Sequence, residues 1–246
     1  MLISNISVVI MAKNAQETIT ECLDSLVSFQ EVVLYLNDST DNTQVLAQNY
    51  KNVKVVYGEF IGFGPTKNAA ATHASNDWIL SLDSDEILNT KLLEEILSQD
   101  LSKPENLFVL IRDNYFLGEK TISKDHIVRL YNRTKNLFDN ALVHEKVQVH
   151  DYNKKITLKT TFKHLNITDI NQTLFKMIKY TDLGAEGKKT CFFGVVIAKA
   201  FFAFFQTYIL RFYFINGWVG FTIAVSNANR RFYKYLKQYI NCKKES

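Results

Sequence analysis

The chain has 246 residues, of which 47% are hydrophobic and 22% charged, and its formal net charge is +4. That balance excludes a disordered chain and leaves room for one large domain, or one domain with an appendage. Only two prolines, Pro65 and Pro104, and no Ser/Gly-rich linker argue against a string of separate modules. The run ISVVIM (6–11) is apolar throughout and predicts a strand buried on both faces. Asn14 is placed to cap a following helix, whose Ile19, Cys22, Leu23 and Leu26 form one apolar stripe. EVVLYL (31–36) predicts a second strand, closed by the turn-forming NDSTDNT. A short helix carrying Val45, Leu46 and Tyr50 leads to a third strand, VKVVY (53–57). GFGPTKNAAATHA supplies a glycine turn and a helix with Pro65 in its first turn, where the missing N–H costs least. WILSL (78–82) is the fourth strand, Leu92, Leu93, Ile96 and Leu97 stripe the next helix, and LFVLIR (107–112) is the fifth strand. Strands alternating with helices at this spacing mean an α/β fold, a largely parallel sheet between helices. Ligands of such folds bind outside the carboxyl ends of the strands. Here those ends lead into the polar loops AKNAQE, NDSTDNT and DSDE.

The last of these loops places three carboxylates, Asp83, Asp85 and Glu86, within four residues of each other. Their mutual repulsion requires water, a cation or a basic partner to offset it. Asp83 and Asp85, two apart on an extended segment, point the same way. They suit a hard divalent cation, Mg²⁺ or Mn²⁺, which also takes phosphate oxygens. The same acids fit a solvated turn running into a helix N-terminus, where the dipole favours negative charge. The three cysteines, Cys22, Cys191 and Cys242, have no metal-ligand spacing and are predicted to be free thiols in a reducing compartment. No basic region precedes a long apolar stretch at the N-terminus, so no secretory signal is expected.

The charge is unevenly spread. Residues 187–246 carry ten Lys/Arg against one acid, Glu245, and hold 16 of the 32 aromatic residues; the first 186 residues carry −5. Residues 191–208 are almost wholly apolar and close to membrane-spanning length. Lys199 and Gln206, seven apart, share a helical face, and such a polar stripe predicts a helix lying in the membrane interface. Arg211, Arg230, Arg231, Lys234 and Lys237 would then meet anionic headgroups. A spanning hairpin and a helical cap packed on the first domain are the alternatives. No RNP, KH or zinc pattern is present, so no nucleic-acid partner is expected.

Five segments in order, SVVIMAKNAQETITECLDSL, NDSTDNT, GFGPTKNAA, DWILSLDSDE and LVHEKV, resemble family-2 glycosyltransferases of the GT-A fold. Within these the chain is similar to the lipopolysaccharide inner-core β-1,4-glucosyltransferases, and the likeness continues into FINGWVGFTIAVSNA (214–228). The resemblance implies a GT-A catalytic domain over residues 1–170 and a basic, aromatic, membrane-associating helical tail over 171–246. It implies an inverting, metal-dependent transfer of a sugar, glucose, from a UDP-linked donor. The acceptor it implies is lipid-linked, the heptose of a lipopolysaccharide or lipooligosaccharide core, met by a peripheral protein at the cytoplasmic face of the inner membrane.

Residue by residue, Asp83 and Asp85 match the metal motif holding Mg²⁺ or Mn²⁺ on the diphosphate. Asp38, Ser39 and Asp41 match the nucleoside-contacting turn, and Lys13, Asn14 and Asn37 join them from the same strand ends. Lys67 and Asn68 match a pair after the glycine turn, where Lys67 would reach a phosphate. Inversion needs a general base for the acceptor hydroxyl. Glu145 is the first candidate and Asp125 the second. His144 would contact the diphosphate or the metal, and Arg129 would clamp a phosphate. A lone His164 reads equally well as structural. Two positions depart from the family pattern: Ala15 stands where relatives commonly have Glu, and Leu36 with Asn37 where they often have an acid. Other readings are a nucleotidyltransferase, for which MAKNAQE lacks the glycines, a membrane-bound adaptor with a degenerate fold, and a glycosyltransferase for another cell-surface glycan.

Overall fold

The computed structural model describes residues 2–141 and 145–244. The chain forms two compact units, Met1–Asp113 with Lys124–His164, and Asn114–Ser123 with Leu165–Ser246. The first unit runs β1 (Ile3–Ala12), α1 (Ile19–Asp24), β2 (Phe29–Leu36), α2 (Thr43–Ala47), β3 (Val53–Tyr57), α3 (Phe63–Ala71), β4 (Trp78–Asp83), β5 (Glu86–Ile87) and α4 (Thr90–Leu97). Three long strands follow, β6 (Asn106–Phe116), β7 (Glu119–Asn132) and β8 (Lys154–Ile167). The eight strands make one sheet in the order β3-β2-β1-β4-β7-β6-β8-β5. β1 pairs in parallel with β2 and β4, and β2 with β3. β4 meets β7, and β5 meets β8, antiparallel.

The central parallel strands β1, β2 and β4 carry mostly apolar residues because both their faces are covered, while the edge strand β3 is only partly buried. Side chains alternate across a strand, and the core divides by parity accordingly. Val8 and Ile10 of β1, Val32 and Leu34 of β2, and Leu80 and Leu82 of β4 pack with Ile19, Leu23, Leu92 and Ile96 from α1 and α4. Their neighbours Val9, Val33 and Ile79 face the other way, against Ala70 and Ala71 of α3. The small alanines let α3 approach the sheet closely. Pro65 falls in the first turn of α3 as expected, and Gly62 before it has φ of 107°, a conformation open to glycine at no steric cost.

Two local expectations fail. Thr18 precedes α1 without a side-chain cap bond, and Asn14 does not cap it; the Asn14 amide oxygen instead accepts from the Thr40 backbone N–H at 2.8 Å. Nor is the sheet parallel past β4. The antiparallel strands β7 and β8 carry mixed polar and apolar residues, so no uninterrupted apolar run announces them.

The second unit contains the β6–β7 turn, α5 (Ile170–Ala185), α6 (Phe193–Phe205) and the 28-residue α7 (Gly217–Lys244). A wider π turn, Gln206–Leu210, extends α6. The hairpin segment belongs here because its edge is bonded to this unit. Ile122 N–H donates to Asn216 Oδ1 at 3.0 Å, and Phe116 packs with Ile167 and Val219. Gly220 permits a tight return of the chain, since any Cβ there would overlap the Tyr213 carbonyl oxygen.

The cysteine expectation holds for Cys22, a buried thiol, and fails for the other two. Cys191 and Cys242 are disulfide-bonded, with Cα atoms 5.5 Å apart. They lie 51 residues apart, and only the return of α7 along α6 brings them together. The segment Phe193–Leu210 is one helix long and apolar enough to cross a membrane by length and composition. Much of it is open to solvent, with Phe201 71% and Phe202 55% exposed. Lys199 does not break this apolar face; its ammonium lies 5.8 Å from the Tyr235 ring centre on α7.

Candidate active site

The site is built where β1, β2 and β4 end. The loops after β1 and β2 are stitched together by side chains. Asn14 N–H donates to Ser39 Oγ at 3.1 Å, Ala15 N–H to Thr43 Oγ1 at 2.8 Å, and Gln16 N–H to Asp41 Oδ2 at 3.0 Å. Asn14 (φ 52°) and Asp38 (φ 53°) adopt the left-handed conformation that Asn and Asp tolerate best among non-glycine residues. Burial pushes the Asp41 carboxyl up, but donors from Thr43 and Gln16 outweigh it and hold the group below its ordinary value. Asp41 is therefore engaged in holding the loops. Lys13 pairs loosely with Asp38 at 3.7 Å, both well exposed. Asn37 is buried, and its Oδ1 has no hydrogen-bond partner among the described residues. An unpaired buried amide oxygen is costly unless something donates to it.

At the end of β4 the carboxylates meet basic partners. Lys67, 3% exposed, reaches Asp83 Oδ1 at 2.8 Å and Glu145 Oε1 at 2.7 Å. Arg129 donates from Nη2 to Asp83 Oδ2 and to Glu86 Oε1, the latter at 2.5 Å. Glu86 is fully buried, and its other oxygen accepts from Asp83 N–H at 3.0 Å. Arg112 bridges Glu86 at 2.9 Å and Asp125 at 2.9 Å. Burial alone would raise the Asp83 carboxyl, but Arg129 and Lys67 outweigh it and hold the group well below the usual carboxylate range. Burial likewise opposes the Arg129 charge, and Asp83 with Glu86 reverses that and raises its pKa. Among the described residues four carboxylates (Asp83, Glu86, Asp125, Glu145) thus share three fixed cations (Lys67, Arg112, Arg129), and Asp85 beside them meets only His164, so the acids outnumber the fixed cations by two.

Where that residual charge sits decides what the site can hold. Both Asp83 oxygens already face a cation. Asp85 differs: Oδ2 lies 3.4 Å from His164 Nε2, while Oδ1 is buried with no hydrogen-bond partner among the described residues. The described residues contain no group of three or more His, Cys, Asp or Glu side chains placed to hold a metal. One carboxylate and an imidazole still fit a Mg²⁺- or Mn²⁺-type ion that takes its remaining ligands from water and substrate phosphates.

Of the residues expected from sequence, Lys67, Asp83, Asp85, Asp125, Arg129 and Glu145 lie in this one network. Lys13, Asn14, Asn37, Asp38, Ser39 and Asp41 gather at the neighbouring strand ends. Asn68 is turned elsewhere, its amide clasping the Phe138 backbone with two bonds of 2.9 Å. Arg129, expected as a phosphate clamp, is buried and spends Nη2 on Asp83 and Glu86. His144 lies outside the described residues. Sequence reasoning missed Glu86 as the buried centre of the network and Arg112 as its second bridge. The signal for Arg112 was a cation ending an apolar strand, which has to be paired where it is buried.

Residues 7–170 match the family model for glycosyl transferase family 2. The chain belongs to that family. Similar proteins agree: an "uncharacterized glycosyltransferase" of Rickettsia bellii (strain RML369-C) is 27% identical over 96% of this chain and 87% of its own length. The lipopolysaccharide core biosynthesis glycosyltransferase LpsC of Rhizobium meliloti (strain 1021) is 26% identical over 95% of this chain and 92% of its own. Among solved structures, S. aureus TarS 1-349 aligns over 98% of this chain and 92% of that one, at 16% identity and a TM-score of 0.45. The network around Asp83 and Glu145 therefore lies within the part of the chain that family 2 accounts for.

Proposed function

We propose that this family-2 glycosyltransferase moves a sugar, glucose, with inversion from a UDP-linked donor to a lipid-linked acceptor, the heptose of a lipopolysaccharide or lipooligosaccharide core. The observation that carries the reading is the carboxylate network at the end of β4, net negative by two charges beside the loops that end β1 and β2. The likeness to LpsC supports the class of acceptor.

Asn37 and the Ser39–Asp41 turn would hold the nucleoside. Asp85 and His164 would hold Mg²⁺ or Mn²⁺, with Asp83 setting the shape of the motif through Lys67 and Arg129. When bound there, the cation supplies Lewis-acid charge to the departing diphosphate. Glu145 would take the proton of the attacking acceptor hydroxyl, its orientation set by the 2.7 Å contact with Lys67. Asp125 is the weaker candidate, because Arg112 grips one of its oxygens with two bonds. The apolar face of α6 and the basic residues of α7 would hold the protein peripherally on an anionic cytoplasmic membrane surface.

A panel of nucleotide sugars with Mn²⁺ and a lipid-linked core acceptor tests the reading. Transfer from UDP-glucose supports it; transfer from a different donor only, or none, sinks it.

A further inference from the structure

The second unit carries a half-open pocket of about 280 Å³ that the proposed chemistry does not use. Two helices and the hairpin line it. From α5 come Thr173, Lys176, Met177 and Tyr180, and from α7 Ile223, Ser226, Asn227 and Arg230. Each set follows the i, i+3, i+4, i+7 spacing that puts residues on one helical face. The β6–β7 segment adds Asn114–Phe116, Thr121 and Ser123 to its lining. Its size is at the small end of ligand pockets, which run roughly 300–1,000 Å³, and suits one ring with a substituent.

Its chemistry is one-sided. None of the residues lining it is acidic, while Lys176 and Arg230 bring two cations. Among the described residues Arg230 donates to the neutral Asn227 Oδ1, at 3.2 Å, and to no acid. Burial lowers its pKa, and the adjacent Arg231 lowers it further, so an anion in the cavity would relieve a field that opposes its charge. Thr173 adds a buried hydroxyl, and Oγ1 has no hydrogen-bond partner among the described residues. Tyr180 and Tyr213 supply aromatic surface with polar tips, the combination that suits a polyhydroxylated ring.

We propose that this cavity binds a phosphorylated sugar, its phosphate between Lys176 and Arg230 and its ring against Tyr180, Tyr213 and the amide and hydroxyl groups. The inference deepens the transferase reading and rests on it for its source: the sugar would be an anionic unit of the acceptor, recognised away from the reacting hydroxyl. A guanidinium and an ammonium on one phosphate form charge-assisted bonds, so removing both should be felt strongly.

The test is a calorimetric titration of the full chain with glucose 6-phosphate, glucose and inorganic phosphate, with UDP and Mn²⁺ saturating. Glucose 6-phosphate should bind about tenfold or more tightly than either fragment. A Lys176→Met/Arg230→Met protein should lose that preference, and Asp85→Asn should keep it. If the double substitution unfolds the tail, Ser226→Phe fills the cavity from α7 with both cations intact and should block the probe equally. Unchanged affinity in folded pocket variants overturns the proposal, as does loss confined to Asp85→Asn. Displacement by phosphatidylglycerol vesicles but not by the sugar phosphate would make the ligand a lipid headgroup and overturn the sugar assignment. Failure of transfer with this binding pattern intact would overturn the transferase reading and leave the pocket standing.

Discussion

Asp85 and His164 face each other across 3.4 Å at the edge of a network in which every other carboxylate has a fixed cation. The contact joins the end of β4 to the long strand β8, and the Asp85 oxygen turned from His164 is buried without a partner among the described residues. Two substitutions test whether this pair holds a cation. Asp85→Asn and His164→Ala should each weaken Mn²⁺ binding measured with UDP present by about tenfold or more, and chelation should abolish transfer. Undiminished Mn²⁺ affinity in both proteins would remove the pair from the metal site.

Arg129 is expected to matter first for stability. It offsets the fully buried Glu86 together with Arg112, so its removal leaves Glu86 with Arg112 alone and Asp83 without its second cation, an undercompensated buried cluster. Arg129→Met should lower unfolding free energy by about 3 kcal/mol in a urea titration, the low end for a broken buried pair because Arg112 and Lys67 remain. A folded Arg129→Met protein of unchanged stability, but with weakened donor binding, would restore the phosphate-clamp role.

Acid should act through Asp83. Arg129 and Lys67 hold its carboxyl below the ordinary value of 3.8, overriding burial. A depressed carboxylate stabilises the fold fully above its unfolded value, and this contribution fades as pH falls from about 4 toward the folded value. Wild-type stability should therefore fall on acidification through that window, and Asp83→Asn should fall less steeply. Parallel pH profiles for the two proteins would contradict the assignment.

The parallel half of the sheet was legible because its central strands are buried on both faces and each carries a run of mostly apolar residues. The DSDE cluster was legible because carboxylates cannot end such a strand without partners. Which partners they have was not. Lys67, Arg112 and Arg129 come from three separate elements, and no spacing rule links them to Asp83 or Glu86. β7 and β8 mix polar and apolar residues, so no uninterrupted apolar run marks them as strands. The disulfide was hidden for the same reason as the network. Its halves meet only through tertiary packing.

The tail should bind anionic vesicles in a salt-sensitive way. Exposed Phe201 and Phe202 offer apolar area, and Arg211, Arg231 and Lys234 offer charge. Lys237 contributes less, since it is spent on Asp182 at 2.6 Å. Neutralising those three cations should weaken binding and steepen its loss with salt less than in wild type, by about 1 kcal/mol per charge at most. Phe201→Ser/Phe202→Ser should weaken it at every salt concentration. A protein that ignores such vesicles at low salt has a tail serving as a packing element.

In the proposed reaction the network around Asp83 and Glu145 transfers sugar from a nucleotide donor. Its most direct test is turnover of UDP-glucose with a lipid-linked core acceptor, measured alongside donor affinity, for wild type and Glu145→Gln. Wild type should transfer glucose, and Glu145→Gln should lose turnover on the order of a hundredfold or more with donor affinity near wild type. Equal turnover by the two proteins would contradict it.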